Sequence, residues 1–338
     1  LKEFLKHPCP ETFSGMKCRR AGARRITKSC KRTSWRNYVS TITRKTQAKR
    51  IWNMIRSING KRASTPVYHL KTGDGMAETH EEIVEALAEN YVKQSSVENH
   101  NEEFQRTKSQ EEKKGLNFTS NNTENYNRKF TLKDLRKAIK KSKNSTEGPD
   151  KIHYELLKHL PTVALQLLLD IYNKIWADGP FPEGWRLATI IPIPKPEKDL
   201  SIPSSYRPIS LTSCLCKTME RMVNTRLVWY LERGGFISRF QCGFRKQRNT
   251  TDHLLRLENY IRKAFKNGEQ CVSVFFDLEK AYDTTWKYGI LKDIHEAGIR
   301  GHMAGFIKSF LCNRKFQVRV GSTYSAVQEL EMGVPQGS

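Results

Sequence analysis

The apolar run Val272-Ser273-Val274-Phe275-Phe276 ends on Asp277, and Leu278-Glu279-Lys280-Ala281-Tyr282-Asp283 follows directly. A run this short, rich in Val and Phe, predicts a buried strand. A carboxylate at its last position leaves the core where the strand meets solvent. There it can hold a divalent cation, since hard cations take oxygen ligands. It can equally cap a helix or sit in a solvated turn. Two other segments bear on the choice: Tyr206-Arg207-Pro208-Ile209-Ser210 before it, and Gly333-Val334-Pro335-Gln336-Gly337-Ser338 after it.

The balance of charge limits the partners. Among 338 residues, 59 Lys and Arg stand against 35 Asp and Glu, a formal net charge of +24. That excess calls for a polyanion, either nucleic acid or an anionic membrane surface. No apolar run approaches the length of a membrane span and no signal-like segment opens the sequence, so insertion and secretion are not expected. Residues 1 to 62 alone carry 18 Lys and Arg against Glu3 and Glu11. Backbone phosphates are the natural counter-charge, and a solvated basic tail is the plainer alternative. Eight cysteines include no C-x-x-C pair, which reads as reduced thiols in an intracellular protein without a zinc site.

The elements that must position these residues follow from periodicity and stop signals. Residues 1–33 are polar, basic and without hydrophobic periodicity, and read as a disordered or linking segment. Ser34 can cap a basic amphipathic helix running to about Asn59-Gly60, with Trp35, Tyr38, Val39, Ile42, Trp52 and Ile55 on one face. An acidic amphipathic helix is predicted over 78–94, and the Ser/Asn/Glu/Lys-rich stretch 93–128 reads as a linker. Thr131 with Asp134 resembles a capping box for a Lys-rich helix to about Lys143. Helices are then predicted to Leu160 and from Pro161 to Ala177, the latter ended by Asp178-Gly179-Pro180. Leu187–Ile193 reads as a strand whose Pro192 and Pro194 suggest a sheet edge. A long helix spans about Ser213 to Arg233, and two more lie near 284–297 and 301–311. Phe316, Val318 and Val320 alternate as a strand that Gly321-Ser322 can turn into a hairpin. Without a regular βαβ repeat, this mixture predicts an α+β core.

Six segments in order carry a resemblance to a known family. They are Gly148-Pro149-Asp150 followed by Ile152, then Trp185-Arg186 with Ile190-Ile191-Pro192-Ile193-Pro194-Lys195, then Tyr206-Arg207-Pro208-Ile209-Ser210-Leu211. Gln241-Cys242-Gly243-Phe244-Arg245 with Thr250-Thr251-Asp252 comes next, and the segments at Asp277 and Gly333 close the series. Together they resemble the polymerase domain of reverse transcriptases of non-LTR, LINE- and jockey-like retrotransposons. Lys151 stands where that family usually has a second glycine. The resemblance implies right-hand polymerase fingers and a partial palm, preceded by a basic helical or disordered extension. The expected divisions are 1–62 for the basic extension, 63–128 for an acidic helix and linker, and 129–338 for the reverse transcriptase domain.

The resemblance also implies roles. Asp277 would be catalytic and would bind metal, with the Leu278 carbonyl as a second ligand to Mg²⁺ (or Mn²⁺). Lys195 and Arg207 would neutralise the triphosphate of the incoming nucleotide. Tyr282 would be the ring that excludes a ribose 2′-hydroxyl, and Gln336 with Gly337 would line the nucleotide. Asp283 reads as a structural residue at a helix start rather than a ligand. The implied partners are an RNA template, a DNA primer or target, and dNTPs, in the nucleus or cytoplasm. The family's paired-aspartate hairpin (YxDD) has no counterpart here: there is no Asp-Asp pair and no Asp after Asp293. The chain is therefore expected to be a fragment, inactive alone. The competing expectation is a non-catalytic nucleic-acid-binding remnant of a retroelement.

Overall fold

The structure, a computed structural model, describes residues 9–43, 52, 55, 69–73, 75–143, 146–179 and 181–337. The chain divides into two units, residues 1–66 and 67–338. In the first, helix α1 (Pro10–Ser40) runs without interruption and is exposed along most of its length. This corrects two expectations, since residues 10–33 are helical and the helix ends at Ser40 rather than near Asn59. Arg, Lys and Ala are good helix formers even where no apolar stripe exists to be read. Most of residues 44–60 of the expected helix lie outside the described residues.

The second unit is a mixed α+β body. A short hairpin, β1 (Leu70–Thr72) and β2 (Gly75–Ala77), leads into helix α2 (His80–Gln94), which starts with a Thr79/Glu82 capping box. Ile83, Leu87 and Tyr91 on α2 join Ala188, Ile190, Tyr206, Phe316 and Val318 of the main sheet in one apolar cluster. Residues 93–128 are not a linker. Helix α3 (Glu102–Glu112) lies within them, and its Glu111 meets Lys292 at 3.0 Å while Glu112 accepts from the Trp286 indole at 2.8 Å. Leu116 and Phe118 pack on the larger apolar cluster. A polar stretch with few apolar residues can still fold when those few are anchored.

Helix α4 (Leu132–Lys140) opens with the Thr131/Asp134 capping box expected for it. Short α5 (Tyr154–Lys158) precedes α6 (Thr162–Asp178), which stops at Gly179 in the left-handed region, φ 76°. Strands β3 (Leu187–Pro194) and β4 (Tyr206–Leu211) pair antiparallel, and α7 (Cys214–Arg233) begins at Ser213, whose hydroxyl accepts from the Leu215 and Cys216 amides. Then come α8 (Thr250–Lys266), α9 (Lys287–Glu296) and α10 (Gly301–Leu311), followed by β5 (Lys315–Val320), β6 (Thr323–Tyr324) and β7 (Gln328–Glu329). Trp176 sits in the helical core, its indole donating to the Asn127 carbonyl at 3.0 Å, with Phe130 and Phe306 rings beside it.

The sheet runs β4-β3-β5-β6, with β7 also on β5. β3 is thus an interior strand, not the edge its prolines suggested. β5 pairs with β3 only over Leu187–Ile190, whereas β4 accompanies it from Thr189 to Pro194. The Lys195 amide donates to the Ser205 carbonyl at 2.8 Å, which puts the odd-numbered amides of β3 on the β4 side. Pro192 and Pro194 therefore lack N–H groups only where no strand would receive them.

Lys287 opens α9 and donates to the Leu330 carbonyl. Burial lowers its pKa from 10.5 to about 8. Between those two values the unfolded chain binds more protons than the folded one, so stability rises with pH across that interval. Lys287→Met is expected to flatten that rise and to add roughly 1–2 kcal/mol at neutral pH, after allowance for solvent screening. Urea midpoints of both proteins at pH 7 and pH 10 check this; parallel pH profiles would contradict it.

Candidate nucleotide-binding site

The sheet presents its cations by simple alternation. Ile193 of β3 faces Arg207 of β4, and Lys195 lies two residues further on, so all three point to the same side. Arg207 is exposed and makes no ion pair among the described residues. Lys195 is half-buried, its ammonium donating to the Ser204 carbonyl at 2.8 Å. A fork and a point charge on one strand face suit an anion with several oxygens.

Two loops close on this edge. In residues 333–337, the Ser210 amide of β4 donates outward to the Gln336 carbonyl at 2.9 Å. At its other end the Gly333 and Val334 amides donate to the carbonyls of Thr285 and Tyr282, each at 2.8 Å. The loop is thus a clamp holding the 280–285 turn against β4. Gly333 is needed for that closeness, with φ 85° and a Cβ position 2.6 Å from the Asp283 carbonyl oxygen. Gly337, at φ 104°, lies along Ile209 and Ser210.

The clamp ties the turn of Tyr282 and Asp283 to β4, and Asp283 lies within the field of Lys195. Tyr282 is 40% exposed. Burial raises the Asp283 carboxyl above the usual carboxylate range, while the charges of Lys195 and Lys280 pull it back. Asp283 does not cap a helix, because α9 begins four residues later with Trp286 at the cap position. It is the acid the sequence reading set aside, and its signal was position: one residue past Tyr282 in a turn forced by Lys280 at φ 53°.

Of the seven expected site residues, Gln336 and Gly337 lie in the clamp, Arg207 and Tyr282 on the segments it joins, and Lys195 at the end of β3, where its amide donates to Ser205. Asp277 and Leu278 lie on none of these segments. Residues 271–278 form no regular element and are exposed throughout, Phe276 by 91%. The expected buried strand is a correction: a strand exists only through its partners, and no described residue pairs with this segment. Reverse transcriptases use divalent metal ions, and a carboxylate with a neighbouring carbonyl is suitable hard-donor chemistry. Yet no group of three His, Cys, Asp or Glu that could hold a metal occurs among the described residues. Asp277 and Leu278 therefore stand without further clustered donors among the described residues.

Residues 193–338 match the family described as "Reverse transcriptase (RNA-dependent DNA polymerase)". More particularly, the chain is similar to RNA-directed DNA polymerases of non-LTR retrotransposons. It is 38% identical over 191 residues to the probable RNA-directed DNA polymerase from transposon BS of Drosophila melanogaster, covering 56% of this chain and 21% of that protein. The X-element polymerase of the same organism is 36% identical over 200 residues, 59% of this chain and 22% of that protein. For the mobile element jockey the identity is 35% over 209 residues, 62% of this chain and 23% of that protein. The chain thus matches about a fifth of the length of these relatives. No described helix is long and apolar enough to cross a membrane.

Proposed function

We propose that this chain is the fingers and upper palm of an RNA-directed DNA polymerase of a non-LTR retrotransposon, with residues 129–338 as the polymerase portion. It would extend a DNA primer on an RNA template with deoxynucleoside triphosphates. The observation that supports the reading is the 333–337 clamp, which bonds at one end to Ser210 on the strand that carries Arg207 and at the other to the turn that carries Tyr282. In this reading Arg207 grips the triphosphate through its planar fork and Lys195 leaves the Ser204 carbonyl to add a point charge. The Tyr282 ring blocks a 2′-hydroxyl, and Gln336 with Gly337 lets backbone approach the nucleotide. Asp277 and the Leu278 carbonyl are the chain's own oxygen donors toward Mg²⁺ (or Mn²⁺). Two such ions would activate the primer 3′-hydroxyl and steady the leaving pyrophosphate.

Photocrosslinking of labelled dTTP to the 338-residue chain tests the nucleotide assignment without requiring synthesis. Label is expected in peptides containing 278–286 or 333–337, and Arg207→Ala should lower its yield about tenfold through loss of one charge-assisted contact. Undiminished labelling in Arg207→Ala and Lys195→Ala alike would remove those two residues from the site.

The first unit adds sequence-tolerant grip. Helix α1 carries nine Lys and Arg against a single Glu. Deleting residues 1–62 is expected to weaken RNA and DNA binding and to flatten its salt dependence, because fewer counterions are released. Filter binding at two salt concentrations measures both; equal affinity and equal slope would contradict it.

A further inference from the structure

Helix α7 is flanked by two cavities that share a wall. The first, of about 680 Å³, is lined by Lys143, Tyr154, Lys217, Arg221, Phe310 and Gly337. The second, of about 800 Å³, is lined by Lys137, Val228, Trp229, Phe244, Lys246 and Arg248. Lys141 and Asn224 belong to both. Lys217, Arg221, Thr225, Val228 and Glu232 recur at helical spacing, so the two cavities form one groove along a single face of α7. From residue 217 to 232 that face is about 22 Å long at the ordinary helical rise.

The groove's charge is one-sided. Its two acids are already engaged: Glu232 accepts from the Arg245 guanidinium at 2.8 Å, and Glu220 accepts from the Cys216 thiol at 2.9 Å. Lys137, Lys141, Lys143, Lys217, Lys246 and Arg248 line it and make no ion pair among the described residues. Six such cations converging on one concave surface repel one another unless an extended anion lies between them.

The far end adds a ring. Phe244 is 97% exposed, at φ 58°, a left-handed conformation that non-glycine residues rarely hold. Its neighbour Arg245 fixes the loop by donating to the carbonyls of Ser238 and Gln241 as well as to Glu232. An anchored loop thus keeps an aromatic face in water, and Trp229 lines the same cavity. Basic lining with exposed rings is how proteins hold single strands, whose base faces are free; a duplex hides those faces.

We propose that the α7 groove holds a single nucleic-acid strand, its phosphates on the lysines, one base stacked on Phe244, and its other end at Gly337. Naming that strand as template rests on the polymerase reading; the groove's affinity for a single strand does not. The test uses the full chain and a 12-nucleotide RNA carrying 5-iodouridine, crosslinked in moderate salt. Crosslinks are expected at Trp229 or Phe244, competed by unlabelled single strand and poorly by a duplex of the same length. Phe244→Ala should cut that crosslinking about tenfold, as loss of one stacked base does. Lys141→Glu with Lys246→Glu should lower the salt slope of binding by about 1.4, for two single-strand phosphate contacts. Circular dichroism establishes that the variants fold, and the crosslink map of the unaltered chain stands without them. Crosslinks confined to residues outside the groove, equal competition by duplex or by an acidic peptide, or unchanged binding in folded variants would overturn the proposal. Because no synthesis is measured, failure of primer extension would leave these results intact, and the converse also holds.

Discussion

Gly148→Ala is expected to destabilise the second unit by about 3 kcal/mol, the upper range for forcing a methyl into a packed site. A Cβ at Gly148 would stand 2.5 Å from the Thr212 carbonyl carbon and 2.6 Å from the Ser213 nitrogen. Both are backbone atoms at the buried junction of β4 and α7, so neither can swing aside. The same loop holds α7 in place: Asp150 accepts from the Ser213 hydroxyl at 2.5 Å and from the Ile152 amide at 3.2 Å. Lys151, where the family usually has glycine, lies at φ 55°. Lys151→Gly should therefore act in the opposite direction, stabilising by about 1 kcal/mol through relief of left-handed strain. Urea denaturation of the three proteins decides; a harmless Gly148→Ala would mean that the loop does not set the start of α7.

Asp277→Ala is expected to reduce primer extension below detection once this chain is joined to the remainder of a relative such as the jockey polymerase. In the proposed role Asp277 would hold a divalent cation, and its loss would remove an oxygen ligand needed to activate the 3′-hydroxyl. Tyr282→Ala in the same fusion should leave extension largely intact while admitting ribonucleotides, since it removes a clash and no ligand. Competition between dTTP and UTP on a poly(A) template separates the two effects. Equal loss in both variants would point to damage to the fold instead.

Much of the fold was legible because its signals are local. The Thr131/Asp134 box, the stop at Gly179, the Ser213 cap and the Gly321 turn each state their conformation in a few residues. What was not legible depends on partners. Residues 272–276 have the composition of a strand and no described strand beside them. Leu116 and Phe118 are two apolar residues in a polar stretch, and only the core they touch shows that 93–128 folds. Residues 10–33 of helix α1 have no apolar stripe, and periodicity reports packing rather than helicity. At the site, the order of motifs pointed to Lys195, Arg207, Tyr282, Gln336 and Gly337. The clamp that joins β4 to the turn of Tyr282 is built of backbone bonds that no side chain announces. Asp283 was passed over because its weight comes from burial near Lys195, a contact between residues distant in sequence.

Primer extension by the fusion tests the central claim most directly. On poly(A) primed with oligo(dT), with dTTP and Mg²⁺, the folded fusion should synthesise DNA. The 338-residue polypeptide alone should synthesise none, because it contains no paired aspartates. A folded fusion that binds primer–template yet adds no nucleotide, or robust synthesis by the 338-residue polypeptide itself, would contradict the reading.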